Sequence, residues 1–280
     1  MTAIFLHVPK SAGSTLHTVL ERMYPSDAVY DIPGPMSARE TTFSQLSPEE
    51  HARIRLVKGH ILFGIHRCTP NPFTYITVLR HPVERVISHY YFVKRRPHHR
   101  LHDTIASSNM SLEEYVLGGT ALELDNGQVR AIYGSDHLKV GYGDCTDHML
   151  ESALDNLESY FSVVGIAERF DETLLLMARR LNWNRRPLYV RRNVTKNRPA
   201  LEAVSPRVLR EIEAANALDL ALYERSVQRF DEASKRHDVP SDLDRFRQWN
   251  ELYGRCAAPI SALQFRLLNI KHRRRVPTHV

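Results

Sequence analysis

An apolar run, Ala3-Ile4-Phe5-Leu6, leads directly into His7-Val8-Pro9-Lys10-Ser11-Ala12-Gly13-Ser14-Thr15-Leu16. The run reads as a buried strand, the small residues as a tight turn, and the residues from Thr15 to Met23 as the start of an amphipathic helix. A strand that enters a helix through such a turn aims several backbone N–H groups at one point. The helix dipole adds positive potential there, so the point suits a phosphate or sulfate. Lys10 contributes a mobile cation, and Ser14 and Thr15 contribute hydroxyl donors. The nucleoside triphosphate loop has its lysine at the end of the turn, after a second glycine. Here Lys10 opens the turn and Gly13 is its one glycine, which disfavours a plain P-loop ATPase or kinase.

The same strand-then-helix rhythm recurs along the chain. Ile4–Val8, Thr74–Leu79 and Phe161–Ile166 have the composition of buried strands, and Arg55–Lys58 that of a shorter one. Helical periodicity appears over Thr15–Met23, Val83–Val93, Thr146–Leu157, Glu172–Leu181, Pro206–Ala214 and Leu218–Ala233. Ser47-Pro48-Glu49-Glu50 and Ser111-Leu112-Glu113-Glu114 carry the pattern of a capping box. Strands separated by helices predict an α/β fold of three layers, P-loop-like, with a central mainly parallel sheet flanked by helices. The part after Ser205 reads as helical, with a break at Pro240-Ser241. In such folds ligands sit beyond the carboxyl ends of the strands, so the turns after Val8 and Leu79 are expected to share one edge.

The second turn carries its own motif. Arg80-His81-Pro82-Val83-Glu84-Arg85-Val86-Ile87-Ser88-His89-Tyr90 follows the strand, with Pro82 suited to a first helical turn. Arg80 and Ser88 can converge on one phosphate: a guanidinium fork and a compact hydroxyl. Arg85 is equally suited to bracing the loop.

Together these motifs resemble those of sulfotransferases that use 3′-phosphoadenylyl sulfate (PAPS). Lys-Ser-Ala-Gly-Ser-Thr is similar to their 5′-phosphosulfate loop. Arg-x-Pro-x-x-Arg-x-x-Ser-x-Tyr is similar to their 3′-phosphate motif. The resemblance is nearest to the glycan 2-O-sulfotransferase branch, which includes the heparan sulfate and uronyl enzymes. Those enzymes carry Asp between the Arg and the Pro, where this chain has His81. Tyr160–Ile166 with Glu168, and Arg192–Pro199, are similar to later segments of that branch. The resemblance runs from Ile4 to Glu232.

The resemblance implies transfer of a sulfuryl group from PAPS to an acceptor hydroxyl, leaving adenosine 3′,5′-bisphosphate (PAP), with no metal. It places Lys10, Ser11, Ala12, Gly13, Ser14 and Thr15 at the 5′ end of the donor, and Arg80 and Ser88 at its 3′-phosphate. Thr195 and Arg198 would close the donor site. Lys10 would also stabilise the leaving group. A histidine is a suitable base near neutral pH. His60, in Val57-Lys58-Gly59-His60, lies between the two motifs and matches the Gly-His segment that carries the branch's catalytic histidine. His66 is the reserve, and His7 is expected to support the loop. The branch can show a second histidine two residues earlier, where this chain has Lys58. Lys58 is therefore a candidate for contacting acceptor or cofactor charge. His66 and, from the basic cluster that fits an acidic glycan, Arg95 are further candidates for contacting the acceptor.

The net charge of +6 favours anionic partners. Its sharpest clusters are Lys94-Arg95-Arg96, Arg185-Arg186, Arg191-Arg192 and Lys271 to Arg275. The expected acceptor is a glycan or glycolipid, with no nucleic acid. Three well-separated cysteines, Cys68, Cys145 and Cys256, argue against a disulfide framework or zinc site. No apolar run reaches the roughly 18 residues of a membrane span, and no secretory signal is visible, so a cytoplasmic location is expected. We expect a sulfotransferase domain over 1–255 and a C-terminal helix with a basic tail over 256–280. The competing readings are a P-loop-type kinase or nucleotide phosphotransferase, and a non-catalytic protein that binds anionic glycans.

Overall fold

β1 (Thr2–Leu6) is buried at all five positions, as a strand must be when helices cover both faces of its sheet. The computed structural model describes residues 1–33, 39–119, 121–190 and 201–273. The remaining strands are β2 (Val29–Asp31), β3 (Leu56–Lys58), β4 (Phe73–Leu79) and β5 (Phe161–Ile166), and they form one five-stranded sheet in the order β2-β3-β1-β4-β5. Every pairing is parallel. β1 and β4 run in register from Thr2 opposite Phe73 to Leu6 opposite Thr77, and β5 continues the sheet with one irregularity at Tyr75/Ile76.

The helices of the first half are α1 (Gly13–Met23), α2 (Arg39–Ser44), α3 (Pro48–Arg53), α4 (Pro82–Lys94), α5 (His102–Ser107) and α6 (Leu112–Leu117). Those of the second half are α7 (Gly127–Tyr133), α8 (Asp147–Tyr160), α9 (Phe170–Arg180), α10 (Pro206–Ala215), α11 (Ala217–Arg236) and α12 (Val239–Arg273). The alternation along β1 assigns the layers. Ala3 and Phe5 join Leu16 and Leu20 of α1, Leu174 of α9 and Phe246 of α12. Ile4 and Leu6 point the other way, onto Val129 of α7, Ala153 of α8 and Leu222 of α11. A third apolar cluster packs α4 against α5, α6 and α10 through Ile87, Ile105, Tyr115 and Ile212. The result is the expected three-layer α/β fold with a helical C-terminal part.

Both capping boxes form. The Ser47 and Ser111 hydroxyls accept from the N–H of Glu50 and Glu114, and each glutamate accepts from its serine's N–H at 2.7 Å. The break near Pro240 falls slightly earlier than the sequence suggested. α11 ends at Arg236 with His237 as its C-cap, Asp238 takes a φ of 50°, and Pro240 lies in the first turn of α12, where its missing N–H costs nothing. β2 is not visible in the sequence, because three residues are too few to show alternation; its pairing with β3, Val29 opposite Leu56 through Asp31 opposite Lys58, makes it a strand. Cys68, Cys145 and Cys256 are free thiols. Among the described residues no helix is long and apolar enough to cross a membrane.

Arg85 braces the fold, as the alternative reading of its motif position anticipated. It is 1% exposed, and its Nη2 lies 3.4 Å from the Asp219 carboxylate and 3.4 Å from the Asn216 side-chain oxygen. Asp219 in turn accepts from the N–H groups of Gln128 and Val129, and so caps α7 from a distant helix. Removing one member of a buried pair strands the other charge, at a cost of about 3–5 kcal/mol. Arg85→Leu is therefore expected to lose roughly that much stability in urea unfolding; a loss under about 1 kcal/mol would show that the pair is not a brace.

Candidate active site

Four strand ends meet along the carboxyl edge of the sheet. β1 runs into the Lys10 loop, β3 into His60, β4 into Arg80 and β5 into Glu168. β1 sits where the strand order reverses, with β3 on one side and β4 on the other. That reversal opens a crevice, because the loops leaving adjacent strands diverge to opposite faces. The crevice is a cleft of about 520 Å³, lined by Lys10, Ala12, Gly13, Ser14, Thr15, His60, Arg80 and Ser88, among others.

The loop is held in an uncommon shape. Lys10 and Ala12 have φ of 70° and 60°, a left-handed conformation that costs a non-glycine residue about 1–2 kcal/mol. The Arg80 guanidinium helps to hold it, donating from Nη1 to the Lys10 carbonyl at 3.1 Å. Gly13 is required for a steric reason. A Cβ there would lie 1.8 Å from the His7 Nε2, so the imidazole occupies the space a side chain would need. His7 thus supports the loop, as expected. Ala12 is the N-cap of α1 and offers no side-chain hydrogen bond to its first turn, leaving that helix end suited to an anion.

α4 forms the opposite wall. Glu84, Ser88 and Phe92 are spaced four residues apart, so all three face the cleft from one side of the helix. The Lys10 ammonium lies 3.9 Å from the Phe92 ring centroid. Burial, followed by the positive charges of Arg80, Arg95 and Arg96, lowers the Lys10 pKa to about 8. Arg80 Nη2 donates to Glu84 at 2.8 Å, and its Nε is 3.9 Å from Glu168. Gln128 grips the Arg80 backbone from both sides, accepting from its N–H at 3.0 Å and donating to its carbonyl at 2.9 Å. The buried Arg85–Asp219–α7 assembly therefore ends at the residue that presents the second motif's cation.

His60 is exposed at the mouth of the cleft, stacked on His7 with ring centroids 4.9 Å apart. Arg39 donates to the His60 carbonyl and so ties down its backbone. Desolvation by the cleft wall, then the charge of Arg39, lowers the His60 pKa; Asp31 opposes them. The lowered pKa favours the neutral imidazole, the form a base requires. Behind it, His7 and His17 share a 3.3 Å hydrogen bond. Burial lowers the pKa of His17 to about 4 and holds His7 well below the usual imidazole value.

These two shifts set a pH profile. Lys10 carries its charge below about pH 8 and loses it as pH rises through that value, while His60 is deprotonated above its lowered pKa. For an anionic donor with a hydroxyl acceptor, kcat/KM is expected to be flat between an acid limb below pH 6.5 and an alkaline limb near 8. Lys10→Met should abolish the alkaline limb; a limb unchanged by that substitution would assign it to another group.

The other candidates stand apart from the cleft lining. Ser11 is buried, and its hydroxyl finds no hydrogen-bond partner among the described residues. Lys58 is buried between Asp31 and Glu21, the latter at 3.1 Å. Burial acts to lower its pKa, but the hydrogen bonds to the two carboxylates outweigh that and hold it above the usual lysine value. It is committed to internal ion pairs in place of an acceptor. His66 is turned onto Tyr75, with its Nδ1 2.9 Å from the phenol oxygen, and onto Phe73 and Tyr160. Arg95 is exposed beyond the end of α4 and donates to the Tyr91 carbonyl at 2.8 Å. Thr195 and Arg198 lie outside the described residues. His81 shapes the turn: its N–H donates to Glu168 at 3.1 Å and its ring packs edge-on against Tyr223.

Two features of the cleft had no local sequence signal. Tyr189 and Phe170 make an aromatic wall, edge to face at 5.0 Å, with the Tyr189 hydroxyl donating to Asp171 at 2.8 Å. Gln128 sits on a short helix whose position depends on Asp219, ninety-one residues away in sequence. Among the described residues no group of three or more histidine, cysteine, aspartate or glutamate side chains is arranged to hold a metal ion.

Comparison with known proteins bears on what such a cleft belongs to. The chain is 27% identical over 242 residues to galactose-3-O-sulfotransferase 3 of Bos taurus, covering 80% of this chain and 55% of that protein. It is 24% identical over 180 residues to galactose-3-O-sulfotransferase 2 of Homo sapiens, covering 61% and 44%. The chain therefore spans about half the length of the curated relatives it matches. The family model described as galactose-3-O-sulfotransferase matches residues 2–264, a span that contains the Lys10 loop, His60 and the Arg80 motif. A sulfotransferase family is thus indicated, though not the 2-O branch that the motifs suggested. On this match the chain belongs to the galactose-3-O-sulfotransferase family.

Proposed function

We propose that this protein transfers a sulfuryl group from PAPS to a galactose hydroxyl, the 3-hydroxyl, of a glycan or glycolipid. The observation that carries the reading is the single cleft in which the Lys10 loop, Arg80 with Ser88, and His60 face one another. The matched family and its relatives, named for galactose 3-O transfer, support this choice of acceptor.

The residues present fit the donor. The first turn of α1 with Ser14 and Thr15 would hold its 5′-phosphate, and Arg80 with Ser88 its 3′-phosphate, leaving the Phe170–Tyr189 wall for the purine. When bound, PAPS supplies an activated sulfuryl group for transfer to an oxygen nucleophile. Lys10 neutralises negative charge at the 5′ end, in a desolvated setting where one charge is worth more than in water. His60 accepts the proton of the acceptor hydroxyl. Glu84 and Glu168 fix Arg80 in place, so its fork is already oriented before any ligand binds.

The test combines binding and transfer. PAP is expected to bind about tenfold or more tightly than ATP, because one charge-assisted contact to the 3′-phosphate is worth roughly 1.5–3 kcal/mol. Labelled sulfate should then pass from PAPS to a terminal galactoside and not to its 3-deoxy analogue. Equal binding of ATP, or magnesium-dependent phosphate transfer from it, would replace this reading with the kinase. Transfer to the 3-deoxy analogue would move the acceptor position.

A further inference from the structure

A second concavity lies at the other end of the sheet. Its walls are the C-terminal half of α9, the 182–187 loop and the first turns of α12, and its volume is about 640 Å³. Arg180 Nε reaches the Ser162 carbonyl at 3.3 Å, so this end of α9 lies beside the start of β5, whereas the sulfuryl cleft lies beyond that strand's end. Phe170, in that cleft, and Arg179, in this groove, are nine residues apart on one helix, or about 13 Å along its axis.

The groove's chemistry is distinctive. It contains both tryptophans of the chain, Trp183 and Trp249, and four arginines, Arg179, Arg185, Arg186 and Arg245, against the single acid Asp242. Trp249 is 45% exposed, and the Arg186 guanidinium lies over its ring at 4.8 Å. Asp242 is already engaged by Arg179, at 2.6 Å, and by Arg245. Arg185 and Arg186 have no carboxylate partner among the described residues, and the buried Nη1 of Arg179 has no hydrogen-bond partner among them. The groove thus presents an exposed aromatic face and positive charge side by side. Guanidinium forks match planar or tetrahedral oxyanions, and a flat indole matches the C–H face of a ring.

We propose that this groove is a second, non-catalytic site for an acidic oligosaccharide, with a sugar ring against Trp249 and its sulfate or carboxylate group on Arg185 and Arg186. The choice of a glycan over other polyanions rests on the acceptor reading above. The site would retain a chain that already carries acidic groups while another terminus of it reaches the cleft. Linked sites raise the effective concentration of the second contact without any change in the first.

Because both tryptophans line the groove, their fluorescence reports it directly. A sulfated, galactose-terminated tetrasaccharide is expected to change the emission saturably, and to do so equally with PAP saturating the cleft. Its unsulfated parent should bind at least tenfold more weakly. By calorimetry, Trp249→Ala and the double variant Arg185→Ala/Arg186→Ala should each weaken binding about tenfold, with unchanged thermal unfolding and unchanged transfer to a short galactoside. Equal affinity in these variants, no emission change, or tighter binding of a single-stranded oligonucleotide would overturn the proposal. Transfer failing while the titration holds would instead remove the enzymatic reading and the tethering role with it, and leave the groove as a binding site for acidic oligosaccharide.

Discussion

His60→Ala is expected to lower kcat by about 10²–10⁴-fold, the range over which a positioned acid or base acts, while PAP binding stays within a few-fold of the native protein. The geometry separates the two effects. His60 reaches the cleft from β3, whereas the residues proposed to contact the donor lie on the loops after β1 and β4 and on α4. Its lowered pKa favours the uncharged form, so its loss is not expected to remove a cation from the cleft. The substitution does remove a ring stacked on His7. Circular dichroism and an unchanged PAP affinity would show that the loop survives. Added imidazole should then restore part of the rate, with more rescue where the imidazole is neutral. Normal turnover by the alanine variant would remove His60 as the base.

Lys10→Ala should behave differently, weakening both donor binding and turnover. Loss of one preorganised donor to a developing charge typically costs about 10²–10³ in kcat. Lys10 stands in a desolvated position against Phe92 and lies near Arg80, Arg95 and Arg96, which explains why an anion at this point would be strongly held. Lys10→Arg is not expected to rescue it, since a planar fork cannot replace a compact ammonium beside the ring. Lys10→Gly separates chemistry from folding. The position has a φ of 70°, which glycine adopts freely, so this variant should lose transfer yet keep its melting temperature within a few degrees. A large drop in melting temperature would mean that the Phe92 contact is structural.

Much of this was legible in the chain. The strand–loop–helix units around Lys10 and Arg80, and both capping boxes, are specified by neighbours within a few residues of one another. Local sterics and hydrogen bonding act at that range, so the pattern is visible before folding. The spacing of Glu84, Ser88 and Phe92 also announces a shared helical face.

The sulfotransferase character was legible for the same reason: it resides in contiguous motifs. The acceptor branch was not, because the two motifs resemble donor-binding segments and are silent about the sugar. Lys58 illustrates another limit. Its place two residues before His60 suggests a ligand contact, but pairing of β2 with β3 sets Asp31 opposite Lys58, and α1 brings Glu21 to its other side. A buried ammonium between two carboxylates is satisfied there. His66 is likewise decided by Tyr75, on a strand that contacts it only after the sheet forms.

By itself the sequence determined that strands and helices alternate, where the two turns at the strand ends begin, and which cation each carries. Only the tertiary structure decided that these turns share one cleft, that Gln128 and the Arg85–Asp219 pair hold Arg80 in position, that Gly13 must be glycine because His7 fills its side-chain space, and that both tryptophans meet four arginines far from that cleft. Hydrogen bonds and dihedral preferences act between near neighbours and can be read from a string of residues. Burial, ion pairing and pKa depend on which distant segments are brought together, and they exist only once the chain has folded.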